Sequence, residues 1–363
     1  MFCGKIKKTE EKGGNCLNPN ETYYRRTVSA IGFALLIWFL LINVFGVLYS
    51  YVLPQFFMEI PHEKEVLLTL LNQGIYAAGY LFCFMFPVFF LRIFIRKAGY
   101  SYRPMYAPAQ ISPWLPLMIL GTVAISFSAG YLNSMLMDFI GYDLDVLVAT
   151  PQAASNDPKI YELILDFIVI ALVPGFCEEF LFRGAILSNC LPFGEGPAIL
   201  ISALTFSLMH QNAAQIFYTF VAGLILGYIY VKTKSIWNCV LLHAVNNFIS
   251  YVENIVAQHI KDLPLAVTYV TLIELVIFLL GGISIVILIQ RFFSKKDVQL
   301  REGFFGRSLP QNAEYAQVPL SRARAVKLFK APSMVIYLSL CVAETALLML
   351  LVILGGKLIG MLG

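Results

Sequence analysis

Six residues between Val173 and Ser250 have the types and the spacing to hydrolyse an amide: Glu178, Glu179, Arg183, His210, His243 and Asn247. They stand in three runs, VPGFCEEFLFRGAIL, FSLMH and LLHAVNNF, that are otherwise apolar. An ionisable side chain at the centre of a bilayer costs on the order of 3 kcal/mol unless it is paired or hydrated, so a group of them in one region marks a site. Glu179 and Arg183 are one helical turn apart, the spacing of an ion pair. Neighbours on a helix point about 100° apart, which leaves Glu178 facing elsewhere, with no partner on its own helix. His243 and Asn247, again i and i+4, share a face. A carboxylate free of an ion pair can take a proton from water as a general base, and a nearby imidazole can share that water. His243 and Asn247 can donate hydrogen bonds to a developing oxyanion. Together these parts describe water-activated amide hydrolysis. No serine, threonine or cysteine competes as nucleophile, and Cys177, in an apolar run, reads as inert.

The elements that must position these residues are membrane helices. The 363 residues are 59% hydrophobic and 13% charged, with a mean hydropathy of +0.75, about half the charge of an average soluble domain, near 25%. About 20 apolar residues make one span. On that count the sequence predicts an all-α polytopic membrane protein of nine helices, over 27–53, 66–91, 113–138, 160–182, 197–211, 214–231, 236–254, 266–290 and 333–356, with the active site among helices 4, 5 and 7. The stretch LPFGEGP at 191–197 is a strong turn signal. Glu178 and His210 each lie 16 residues from Gly194, so helices 4 and 5, folded back on each other, bring the two to one depth.

Basic residues concentrate in alternate loops. Six precede the first span, four follow the second, two follow the sixth and nine fill 291–332, while single lysines follow the first, third and seventh. By the positive-inside rule this places the N-terminus and the 294–332 linker in the cytoplasm, and the site in the cytoplasmic half of the bilayer. The chain then divides into a cytoplasmic N-terminal segment (1–26), a three-helix membrane region (27–157), a site-bearing core (158–258), one more membrane helix (259–293), a basic cytoplasmic linker near anionic lipid (294–332) and a last membrane helix (333–363). The first 26 residues lack the short apolar core of a cleavable signal. The seven cysteines form no CxxC pair and read as small core residues. Gly223 and Gly227 form a GxxxG, the pattern of close helix packing. Glu344 is a lone acid in the last span, facing another helix. A net charge of +4 carries no signature of nucleic-acid binding.

Taken in order, Glu178-Glu179-x-x-x-Arg183, Phe206-x-x-x-His210 and His243-x-x-x-Asn247 on separate helices resemble the CPBP family, the CAAX proteases and bacteriocin-processing proteins also called Abi, related to the type II CAAX prenyl endopeptidase. The resemblance spans roughly 158–258. It implies an intramembrane glutamate-type protease of a bacterial-type plasma membrane. In that reading Glu178 and His210 activate water, His243 and Asn247 hold the oxyanion, and Glu179, Arg183 and Phe206 support them. It implies no cofactor, and as partners a peptide or membrane-protein substrate and the surrounding lipid. Three alternatives stand beside it: a zinc hydrolase with Glu178, His210 and His243 as ligands, a non-catalytic scaffold or bacteriocin-immunity protein, and a proton-coupled transporter. The last would carry an internal repeat of spans, and none is visible.

Overall fold

The computed structural model describes residues 19–57, 65–97, 111–142, 159–191, 194–259, 263–293 and 331–362. The N-terminal segment 1–18, most of the basic linker (294–330) and most of the connecting loops, with their charges and His62, lie outside the described residues, as does the side chain of His259. Every regular element among the described residues is helical. Among the described residues nine main helices carry the fold: α1 (Pro19–Val47), α2 (Glu65–Lys97), α3 (Leu115–Phe139), α4 (Ile160–Cys190), α5 (Glu195–Leu208), α6 (Ala213–Thr233), α7 (Ile236–His259), α8 (Leu263–Phe293) and α9 (Pro332–Leu362).

Seven of these, all but α5 and α7, are long and apolar enough to cross a membrane. The predicted count of nine included both exceptions, and each departs for a physical reason. At 14 residues α5 is about 21 Å long, too short for a hydrocarbon core about 30 Å thick. In α7 the length suffices but the composition does not, because the helix carries Asn238, His243, Asn246, Asn247 and Glu253. The short and the polar helix are the two that bring His210 and His243 to the interior.

Helices α4, α5, α6 and α7 pack around one core. A Cβ on Gly223 would lie 3.0 Å from the Ala203 Cα, and one on Gly227 3.1 Å from Ile199, so the GxxxG of α6 lets it lie directly on α5. The open ends of this hairpin are tied by Lys232 to Glu195 at 2.9 Å. Helix α2 closes the core on one side, α3 and α8 pack as a pair against α6 and α7, and α9 lies along α1. Ser333 donates to the Ser29 carbonyl, and Tyr337 to that of Thr205 in α5. Glu344 of α9 meets Asn43 of α1 through a hydrogen bond, a helix-to-helix contact away from the site. The five cysteines among the described residues are buried and unbridged.

Candidate active site

Helix α4 is irregular around the glutamate pair. Two stretches of π-helix, Ile168–Leu172 and Phe180–Leu187, flank the α-helical Val173–Glu179. Such bulges shift the direction of the side chains that follow and recur at functional sites. Between them Pro174 has no N–H to give the carbonyl one turn back, that of Ile170. Asn247 of α7 supplies the missing donor, its Nδ2 lying 3.3 Å from the Ile170 oxygen. One residue on, a Cβ at Gly175 would lie 3.1 Å from the Ala244 nitrogen. The bare glycine lets the α7 backbone approach at the residue next to His243.

Glu179 and Arg183 are fully buried, and the predicted ion pair forms, Nη1 to Oε1, at 2.8 Å. Arg183 also donates through Nη2 to the Gly223 carbonyl at 3.2 Å and lies 4.4 Å from the centre of the Phe206 ring. The same Glu179 Oε1 receives His243 Nδ1 at 2.9 Å. An ionised carboxylate only accepts, so the proton of this contact sits on Nδ1, and Nε2 is turned the other way, to 3.8 Å from Glu178 Oε2. The pair that supports α4 therefore also orients the histidine of α7, a link that spacing along the chain did not show.

Glu178, 5% exposed, has no partner on its own helix, as its position suggested, but has one on α2: the Tyr80 hydroxyl donates to Oε1 at 2.5 Å. Its Oε2 accepts no hydrogen bond among the described residues. His210 sits just past the end of α5, in the tight turn that leads through Gln211, in a left-handed conformation, and the N-cap Asn212 into α6. Its Nδ1 lies 2.9 Å from the Phe206 carbonyl. A carbonyl cannot donate, so in the neutral ring the proton is on Nδ1 and the Nε2 lone pair is free to accept one. Phe206 lies at the centre of the site, edge-on to both imidazoles, 5.2 Å from His210 and 5.8 Å from His243, and beneath the guanidinium.

Glu178, His210, His243 and Asn247 all line one cavity of about 920 Å³. Glu178 and His210, expected at one depth across the hairpin, both line this cavity. Tyr80 is the residue that reading the sequence missed. It stands with Tyr76 at i and i+4 in an apolar span, and the two rings stack at 5.9 Å, a pattern indistinguishable from aromatic packing until the glutamate appears beside it. As to a metal, no three His, Cys, Asp or Glu side chains among the described residues are grouped to hold an ion.

Residues 160–249 match a family model described as Rce1-like, the type II CAAX prenyl endopeptidases. The match covers 90 of the 363 residues and supports the resemblance to the CPBP family over that segment. It contains the three motifs read from the sequence, with Glu178, His210, His243 and Asn247, but not Tyr80. Helices α1–α3, α8 and α9 lie outside it. No curated protein and no solved structure matches the chain.

Proposed function

We propose that this protein is an intramembrane endopeptidase that cleaves membrane-associated peptides, prenylated or not, with water activated by Glu178. The observation that carries the reading is the uncommitted Oε2 of Glu178, buried, without a hydrogen-bond partner among the described residues and 3.8 Å from His243 Nε2, on a residue that lines one cavity with His210. A water held between Glu178 Oε2 and His210 Nε2 gives a proton to the carboxylate as its oxygen attacks the scissile carbonyl. The oxyanion accepts hydrogen bonds from His243 Nε2–H, when that nitrogen is protonated, and from the second Nδ2 hydrogen of Asn247. As the C–N bond breaks, Glu178 passes the proton to the leaving amine, and a carboxylic acid and a free amine are released. Glu179, Arg183 and Phe206 hold His243 in register, and the reaction uses side chains and water only. The loop charges support a cytoplasmic N-terminus and a site nearer the cytoplasmic face.

The test is comparative peptidomics of membranes containing the native protein or Glu178→Gln. Peptide fragments that disappear in the variant, while the protein still accumulates and inserts, identify the substrate. Full retention of the phenotype in both Glu178→Gln and His210→Ala would leave a binding scaffold instead.

A further inference from the structure

The cavity extends well beyond the catalytic groups, and its far end carries Asp166, a carboxylate that the hydrolysis does not use. Asp166 is held from two other helices. Gln73 of α2 donates to Oδ1 at 2.7 Å and the Tyr251 hydroxyl of α7 to Oδ2 at 3.3 Å. A carboxylate offers about four acceptor positions, so two remain. Among the described residues no lysine or arginine lines this cavity or the adjoining one of about 440 Å³, on whose wall Glu274 adds another acid. Between the levels of Glu178 and Asp166, marked on α7 by His243 and Tyr251, the wall presents the amides of Asn246 and Asn247, and elsewhere those of Asn254 and Gln215, groups that pair with a peptide backbone and are costly to bury against hydrocarbon.

Resting on the peptidase reading, we propose that Asp166 is a specificity determinant that receives a lysine or arginine side chain of the substrate, at a fixed distance from the scissile bond. Asp166 and Glu178 are twelve residues apart on α4, at most about 18 Å at 1.5 Å per residue, since the π-helical stretch between them rises less. An extended peptide advances about 3.3 Å per residue. The basic residue therefore lies about five residues from the bond that is cut, with the chain between them laid along the amide wall.

The test uses the full-length protein in detergent and fluorescent peptides in which one lysine is moved residue by residue along an otherwise neutral substrate. Anisotropy with Glu178→Gln reads binding without turnover, and cleavage by the native protein fixes the bond. Lysine about five positions from that bond should bind about tenfold tighter than glutamine there, the scale of a charge-assisted hydrogen bond in a desolvated cavity. Adding Asp166→Asn should bring that ratio close to one, and Asp166→Lys should turn the preference to glutamate at the same position. A preference that ignores lysine position, or survives Asp166→Asn unchanged, overturns the assignment. Cleavage that depends on Glu178 but not on substrate charge refutes the role of Asp166 alone. Binding that follows Asp166 without any cleavage refutes the peptidase reading and leaves the cation site standing.

Discussion

Tyr80 and Glu178, 98 residues apart, share a 2.5 Å hydrogen bond between the second helix and the irregular fourth. The bond occupies Oε1 and leaves Oε2, itself buried, without a hydrogen-bond partner among the described residues, so the tyrosine fixes which carboxylate oxygen stays uncommitted. Tyr80→Phe removes only the hydroxyl from a half-buried ring stacked on Tyr76 and Phe84. A hydrogen bond to a charged group is worth about 1.5–3 kcal/mol, which corresponds to a fall of roughly 10- to 100-fold in kcat/KM with little change in KM. Steady-state cleavage of a peptide substrate by Tyr80→Phe and the native protein, at matched melting temperature, checks this. An unaltered kcat would make the tyrosine a packing residue.

Asn247 is expected to have two separable duties. One of its Nδ2 hydrogens serves the Ile170 carbonyl that Pro174 leaves without a donor. Asn247→Ala should lower stability by about 1 kcal/mol, the cost of a partly solvated unpaired carbonyl, and should abolish cleavage. Adding Pro174→Ala restores an N–H at the right place on α4. The double variant should regain the native melting temperature in detergent and remain inactive. If it also regains activity, Asn247 acts only through the helix backbone and takes no part at the oxyanion.

Much of this arrangement was legible in the chain because helical spacing is a local rule. The i, i+4 pairs Glu179–Arg183 and His243–Asn247, and the equal distances of Glu178 and His210 from Gly194, follow from 3.6 residues per turn. The links between helices do not follow from it. Nothing in the spacing tells that His243 and Arg183 share one oxygen of Glu179, or that Asn247 repairs a gap made by Pro174, since each depends on how α7 rolls against α4. The span count shows a similar limit: seven of the nine helices, not all nine, have the length and composition of a span. Hydropathy reads α5 and α7 as crossings, whereas α5 stops at Leu208 and α7 is polar because it faces the cavity. Tyr80 and Asp166 were invisible because a tyrosine and a lone aspartate near a helix end have ordinary structural uses.

Arg183 has the largest expected effect on folding. It and Glu179 are both fully buried, and removing one member of such a pair leaves an uncompensated charge, at a cost of about 3–5 kcal/mol. Arg183→Ala should therefore fail to accumulate or should aggregate on extraction. Arg183→Met combined with Glu179→Gln removes both charges at nearly constant volume and should recover monodisperse protein by size-exclusion chromatography. The glutamine oxygen still accepts from His243 Nδ1, but roughly half as strongly as a carboxylate, so recovered protein should cleave peptide more slowly than the native enzyme. Failure of the double variant to fold would mean that Arg183 is needed for its contacts with Gly223 and Phe206 rather than for charge balance.

Chelators separate the water mechanism from a zinc mechanism. Tyr80 occupies one oxygen of Glu178, Glu179 and Phe206 hold the Nδ1 atoms of the two histidines, and the remaining donors form no three-ligand group among the described residues. A catalytic zinc needs three protein ligands at about 2.0–2.2 Å around one open position. Dialysis of the purified protein against phenanthroline or EDTA should therefore leave the rate of peptide cleavage unchanged, and added zinc should not raise it. Loss of activity that zinc restores and magnesium does not would show that the cavity rearranges around a metal, with Glu178, His210 and His243 as its ligands and Glu178 no longer the base.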